Sequence, residues 1–146
     1  RLIRAVGGRL RARIENHHNF AWKEIHNGKE VVVHRKGATP AGEGVLGIIP
    51  ASMTDAGYIV RGKGNVESFA SASHGAGRAF SRNESRNRFT SSDIKKVLKA
   101  KDITLIGGNA EEAPMAYKNI KTVMQSQTDL VEVIGRFQPR IVRMDK

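Results

Sequence analysis

Asn19-Phe20-Ala21-Trp22-Lys23-Glu24-Ile25-His26-Asn27-Gly28-Lys29-Glu30-Val31-Val32-Val33-His34-Arg35 alternates on one side of an Asn-Gly pair and resumes on the other with a β-branched run. Asn-Gly tolerates the two positive φ angles of a type I′ turn, whose twist matches that of the strands it joins. The stretch therefore predicts two antiparallel strands, roughly 18–25 and 30–35. Outward from this hairpin, the Pro/Gly-rich connection 37–44 leads to short apolar runs at 45–49 and 57–60, bounded by breakers and read as strands. Gly62-Lys63-Gly64-Asn65 turns the chain after them. In the second half, Ser92 and Asp93 read as the cap of a helix carrying Ile94, Val97 and Leu98, and 103–106 reads as a buried strand ended by Gly107-Gly108. A longer helix is expected from about Pro114, with Tyr117, Ile120, Val123 and Met124 on one stripe, and the tail 130–144 reads as two strands around Gln138-Pro139. Strands, then helices, then strands give an α+β domain.

The 146 residues suffice for one domain, and 39% hydrophobic residues suffice for a core. No apolar run has the length of a membrane span, so a soluble protein with no membrane partner is expected. Cysteine is absent, which excludes disulfides, thiolate metal sites and a cysteine nucleophile. The chain begins at Arg1 without a signal-peptide core, and a piece of something longer is the expectation. The 25 Lys+Arg against 14 Asp+Glu leave a formal net charge of +11. Between Arg78 and Lys101 eight basic residues stand against two acidic ones, which makes polyphosphate the expected counter-ligand.

Without cysteine, the five histidines are the side chains that titrate near neutral pH and the softest metal ligands. His74 stands in Ser71-Ala72-Ser73-His74-Gly75-Ala76-Gly77-Arg78. Its small neighbours would let a bulky ligand reach the ring, and the glycines would let backbone N–H groups approach phosphate. Were a helix to begin here, Arg78 would share the face of His74, with Arg82 one turn on. The stretch reads as a nucleophilic or phosphate-contacting histidine, or as a histidine in an ordinary turn. His17-His18-Asn19 opens the first strand, where one ring supplies at most one metal ligand. His34, Arg35 and Lys36 offer donors suited to phosphate, or form a wet sheet face. Pro50-Ala51-Ser52-Met53 is a turn whose amides and Ser52 hydroxyl suit a phosphate, although neither a P-loop nor a dinucleotide fingerprint occurs. Tyr117 suits a base stack or the core.

Taken together and in order, His17-His18-Asn19-Phe20-Ala21, Val33-His34-Arg35-Lys36-Gly37-Ala38-Thr39, Pro50-Ala51-Ser52-Met53, Ser71 to Arg78 with Ser81-Arg82, and Glu112-Ala113-Pro114 with Ala116-Tyr117-Lys118 resemble the C-terminal part of the RtcB family of RNA-splicing ligases. The resemblance implies that residues 1–146 form the C-terminal part of a single catalytic domain. It implies a cytoplasmic enzyme that uses GTP and manganese to join RNA 3′-phosphate or 2′,3′-cyclic phosphate ends to 5′-hydroxyl ends, in tRNA splicing or RNA repair. An activating protein is a further expected partner. His74 would be the nucleophile that carries GMP, and His18 a manganese ligand also lying against the nucleotide. Asn19, the 50–53 turn with Pro50, Ala51, Ser52 and Met53, Gly57, and Gly75, Ala76 and Gly77 match segments lining GMP. Tyr117 would lie near the guanine, and Lys146 would read the base. His34, Arg35, Lys36, Arg78 and Arg82 are the expected RNA and phosphate contacts. The family commonly has glycine where Ala51 stands and serine where Gly57 stands, and its other metal ligands lie upstream of Arg1. The competing expectation is a non-catalytic basic RNA-binding protein.

Overall fold

Strands β1 (Asn19–His26) and β2 (Lys29–Lys36) pair antiparallel from Asn19↔Lys36 to His26↔Lys29. Asn27 and Gly28 join them at φ 52 and 74, the two left-handed residues that a type I′ turn requires. This computed structural model describes residues 2–17 and 19–144. After a short helix α1 (Leu2–Ala5) and the hairpin come β3 (Ala38–Pro40), β4 (Leu46–Ile49), β5 (Gly57–Gly62) and β6 (Ser71–Ser73). Helices α2 (Arg82–Arg88) and α3 (Ser91–Ala100) follow, then β7 (Thr104–Ile106), two 3₁₀ turns, α4 (Ile120–Gln125), β8 (Val131–Phe137) and β9 (Ile141–Arg143). The α+β reading holds.

The tail forms two strands, but they do not pair with each other. β8 completes an antiparallel sheet in the order β4-β5-β8, while β9 runs parallel to β7. Because β8 and β9 belong to different sheets, the segment through Gln138 and Pro139 carries the chain from one to the other. β3 pairs with β6, Ala38↔Ser73 to Pro40↔Ser71.

Two apolar clusters hold these layers. Ile49, Tyr58, Val60, Ala72, Ile120, Met124 and Val131 pack between the sheets and α4. Ile94 and Leu98 of α3 close the other cluster with Met53, Ile103 and Ala113. Ile49 and Val60 are fully buried, a contribution of about 1.5–3 kcal/mol each. The 50–53 turn runs from Ile49 in one cluster to Met53 in the other.

Three expectations are corrected. The cap of α3 is Thr90, not Ser92, and Asp93 closes its capping box. Ser81 and Glu84 do the same for α2, a helix that apolar periodicity does not reveal because Arg-Asn-Glu-Ser-Arg-Asn-Arg has no apolar face. These bonds hold both acids below their ordinary values, Glu84 chiefly through the Ser81 N–H and Asp93 chiefly through the Thr90 hydroxyl. No helix starts at His74, where the chain leaves β6 in a bend. The expected helix from Pro114 is a 3₁₀ turn (Pro114–Ala116), an extended Tyr117 and a separate α4. The Ala116 carbonyl accepts from the Ala79 and Phe80 N–H groups, and Arg78 bridges Tyr117, so tertiary bonds take the backbone groups a helix would use. Ile120 and Met124 nevertheless face the core as the stripe requires.

Candidate functional site

The β3–β6 ladder joins the two most distinctive strings of the sequence. The His74 N–H donates to the Gly37 carbonyl at 3.3 Å, one step beyond Ala38↔Ser73. Gly37 has φ +79, and a Cβ there would face the His74 ring at 3.8 Å. The Ser73 hydroxyl donates to the Gly75 carbonyl at 2.6 Å, while the Ser73 N–H donates to Oε1 of the buried Gln127 at 2.9 Å. His74 is thus held at the end of a strand by a bend whose polar groups are engaged.

The His74 ring lines a cleft with Ile14, Asn16, Thr39, Ile48 and Pro50. Asn16 builds its wall by donating to Thr39 Oγ1 at 2.9 Å and accepting from the Ile48 N–H at 3.0 Å. Gly75 packs so near the Pro50 carbonyl that a Cβ would stand 3.2 Å from it. On the other side of Pro50 lies a mostly apolar slot of about 210 Å³. Ala51, Ser52, Met53, Gly57 and Tyr117 line it. Phe137, Pro139, Val142 and Met144 line it too, and the sequence reading did not select them. The Phe137 ring occupies the space of a missing side chain, since a Cβ on Gly57 would stand 2.2 Å from Cζ. Pro50 is the shared wall of cleft and slot.

Several expected contacts are spent within the protein. The Ser52 hydroxyl is buried and donates to Asp55 Oδ2 at 2.6 Å, so it does not face a phosphate. Arg35 is 2% exposed, with both Nη atoms on Glu24 at 2.6 and 2.9 Å, Nε on Ser71 Oγ and Nη2 on the Phe69 carbonyl. The Arg35 guanidinium holds the Glu24 carboxyl below its ordinary value, against the opposing effect of burial. Arg78 donates to the Phe80 and Glu111 carbonyls, Ser85 Oγ, Glu112 and the Tyr117 hydroxyl, and its guanidinium lies 5.0 Å from the Tyr117 ring centroid. Burial, then the bond to Glu112, raises the Tyr117 phenol above its ordinary value. Arg82 is exposed on α2, within 3.5 Å of Glu112. His34 and Lys36 are exposed on the hairpin, His34 3.3 Å from Asn19 Oδ1. Gly77, at φ +70, accepts from the Lys118 N–H and brings Arg78 alongside Tyr117. Ala76 is in the core.

His18 and Lys146 lie outside the described residues. Among the described residues no three His, Asp or Glu side chains cluster around one point. Among the described residues no helix is long and apolar enough to cross a membrane.

The site presents one histidine beside an apolar slot. The family described as tRNA-splicing ligase RtcB matches residues 3–145, and the chain belongs to the RtcB family. It is 48% identical over 121 residues to the RNA-splicing ligase RtcB of Escherichia coli K12, covering 83% of this chain and 30% of that protein. It is 39% identical over 131 residues to the tRNA-splicing ligase RtcB of Methanococcus maripaludis, 73% of this chain and 27% of that one. The corresponding protein of Thermococcus kodakarensis is 35% identical over 147 residues, 84% of this chain and 30% of its own length. The chain spans under a third of the length of these relatives.

Proposed function

We propose that this chain carries the nucleotide-accepting part of a GTP- and manganese-dependent RNA ligase, with His74 as the nucleophile. The observation that carries the reading is the shared wall at Pro50: a histidine cleft on one side and an apolar slot of about 210 Å³ on the other. A base held flat between Tyr117 and the 137–144 residues would leave its phosphates to cross Pro50 toward His74. A ring nitrogen of His74 attacks the α-phosphorus of GTP, a P–N bond forms, and the P–O bond to pyrophosphate breaks. The guanylyl group then passes to an RNA 3′-phosphate, and a 5′-hydroxyl displaces GMP. The N–H of the 74–77 bend and Gly75's close approach to Pro50 orient the imidazole for this attack. No step is derived through the metal. In this proposal His18 is the donor that these residues contribute, and the other ligands come from outside them.

The test is covalent labelling of the intact protein with GTP radiolabelled at the α-phosphate. A phosphoramidate survives alkali and is lost in acid, the reverse of an ester on Ser71 or Ser73. Label of that stability, absent from His74→Ala, is the expected result. Label retained by His74→Ala would assign the wrong nucleophile. A basic RNA-binding protein without catalysis, which the charge of +11 also suits, would take no label.

A further inference from the structure

Beyond Tyr117 and Asp55, which also line the slot, the surface opens into a second cleft of about 610 Å³. Lys101, Lys118, Lys121, Arg136 and Arg140 line it, with Asp55 as its acid. These cations come from five parts of the chain: the end of α3, the segment before α4, α4 itself, strand β8 and the loop after it. Their convergence is a product of the fold, since the sequence separates Lys101 from Arg140 and places Arg136 opposite Tyr58 in the sheet. Asp55 is neutralised by Lys101 at 3.1 Å and accepts from Ser52 on the slot side. Arg140 pairs with Asp102 at 2.9 Å. Among the described residues Lys118, Lys121 and Arg136 have no paired acid; they repel one another and lower the free energy of a polyanion entering the cleft.

We infer that this cleft is the path of a single-stranded RNA phosphate backbone, leading away from the nucleotide slot past Tyr117. The inference rests on the ligase reading for the nature of the polyanion. The cleft itself favours an extended polyanion over a compact one, because five cations from separate elements line its roughly 610 Å³. An acidic protein partner is an outcome that the test separates.

Lys121 and Arg136 are exposed, so Lys121→Gln with Arg136→Gln leaves packing intact. Binding of a labelled single-stranded RNA of about 20 nucleotides is measured in the intact protein as salt is varied. Loss of two phosphate contacts lowers the slope of log affinity against log salt by about 1.4, which is about 25-fold at 0.1 M salt. Lys23→Gln with Lys29→Gln on the hairpin removes the same charge elsewhere and is expected to leave the slope unchanged. An unchanged slope in the cleft pair, or an equal loss in the hairpin pair, overturns the proposal. So does RNA affinity untouched while an acidic polypeptide such as polyglutamate is lost. Guanylyl labelling is read in parallel: its absence from the unaltered protein strikes the ligase reading, whereas an unchanged slope strikes only the cleft.

Discussion

The chain entering His74 and the chain leaving it are both gripped by an arginine, and the two grips differ in kind. Upstream, Phe69 and Ala70 are held at φ 52 and 46, a left-handed pair without glycine that costs on the order of 1–3 kcal/mol per residue. Arg35 fixes this turn through the Phe69 carbonyl and the Ser71 hydroxyl, at 2% exposure and with one acid, Glu24, as its counter-charge. Its guanidinium also lies 5.1 Å from the Trp22 ring centroid. Downstream, the Arg78 side chain is 22% exposed and belongs to a shared set in which Glu111 and Glu112 also serve Arg82 and Arg86. The upstream grip rests on one acid: among the described residues Glu24, 25% exposed and also bonded to His26, is the sole carboxylate on the buried Arg35. The downstream grip draws on two acids shared among three arginines, so loss of one acid leaves the set a second. His74 therefore sits between a fixed anchor and an adjustable one.

The largest expected effect tests the fixed anchor. Glu24→Ala leaves the Arg35 cation buried and unpaired, and urea unfolding should show a loss of about 3–5 kcal/mol. Glu112→Ala leaves Glu111 for the arginines and should lose less than half of that. Equal losses would erase the distinction.

A smaller effect is read by pH. Because Arg35 lowers the Glu24 carboxyl below its ordinary 4.5 in the folded protein, the pair's contribution is complete above that value. It declines as pH falls below 4.5 and is gone once pH passes the lowered folded value. Glu24→Gln should remove this segment of the stability profile, and an identical acid slope in that variant would contradict the assignment.

The smallest effect belongs to the adjustable side. Tyr117→Phe keeps a ring under Arg78 and removes one hydroxyl, a loss of about 0.5–1.5 kcal/mol. Ultraviolet titration of the unaltered protein should show a phenol ionising above 10.0, absent from the variant.

Features set by neighbours in the chain were legible from the residues alone. Asn27-Gly28 specifies its own turn, and the spacing of Ile94, Val97 and Leu98 specifies α3 whatever lies around it. The helix expected at Pro114 is not formed because Ala79, Phe80 and Arg78, more than thirty positions earlier, claim its backbone. Helix α2 escaped notice because its signal is the Ser81–Glu84 box rather than periodicity. At the site, His74, the 50–53 turn, Gly57 and Tyr117 stand out locally. Gln127, Asn16 and Phe137 act through contacts that only the folded chain creates. Arg35 and Arg78 read as ligand donors since sequence shows a cation without showing its acid.

The slot also has a place in time. Its first wall, Pro50 to Met53, is made well before its last, Val142 and Met144, and β5 waits for β8 to receive its second neighbour. At about 5–20 residues per second, roughly 5 to 20 s separate the two walls on the ribosome. Once residue 74 has been made, the His74 bend can form against Gly37 while β8 and the last wall of the slot are still to come. His74 is thus made before the slot beside it can close.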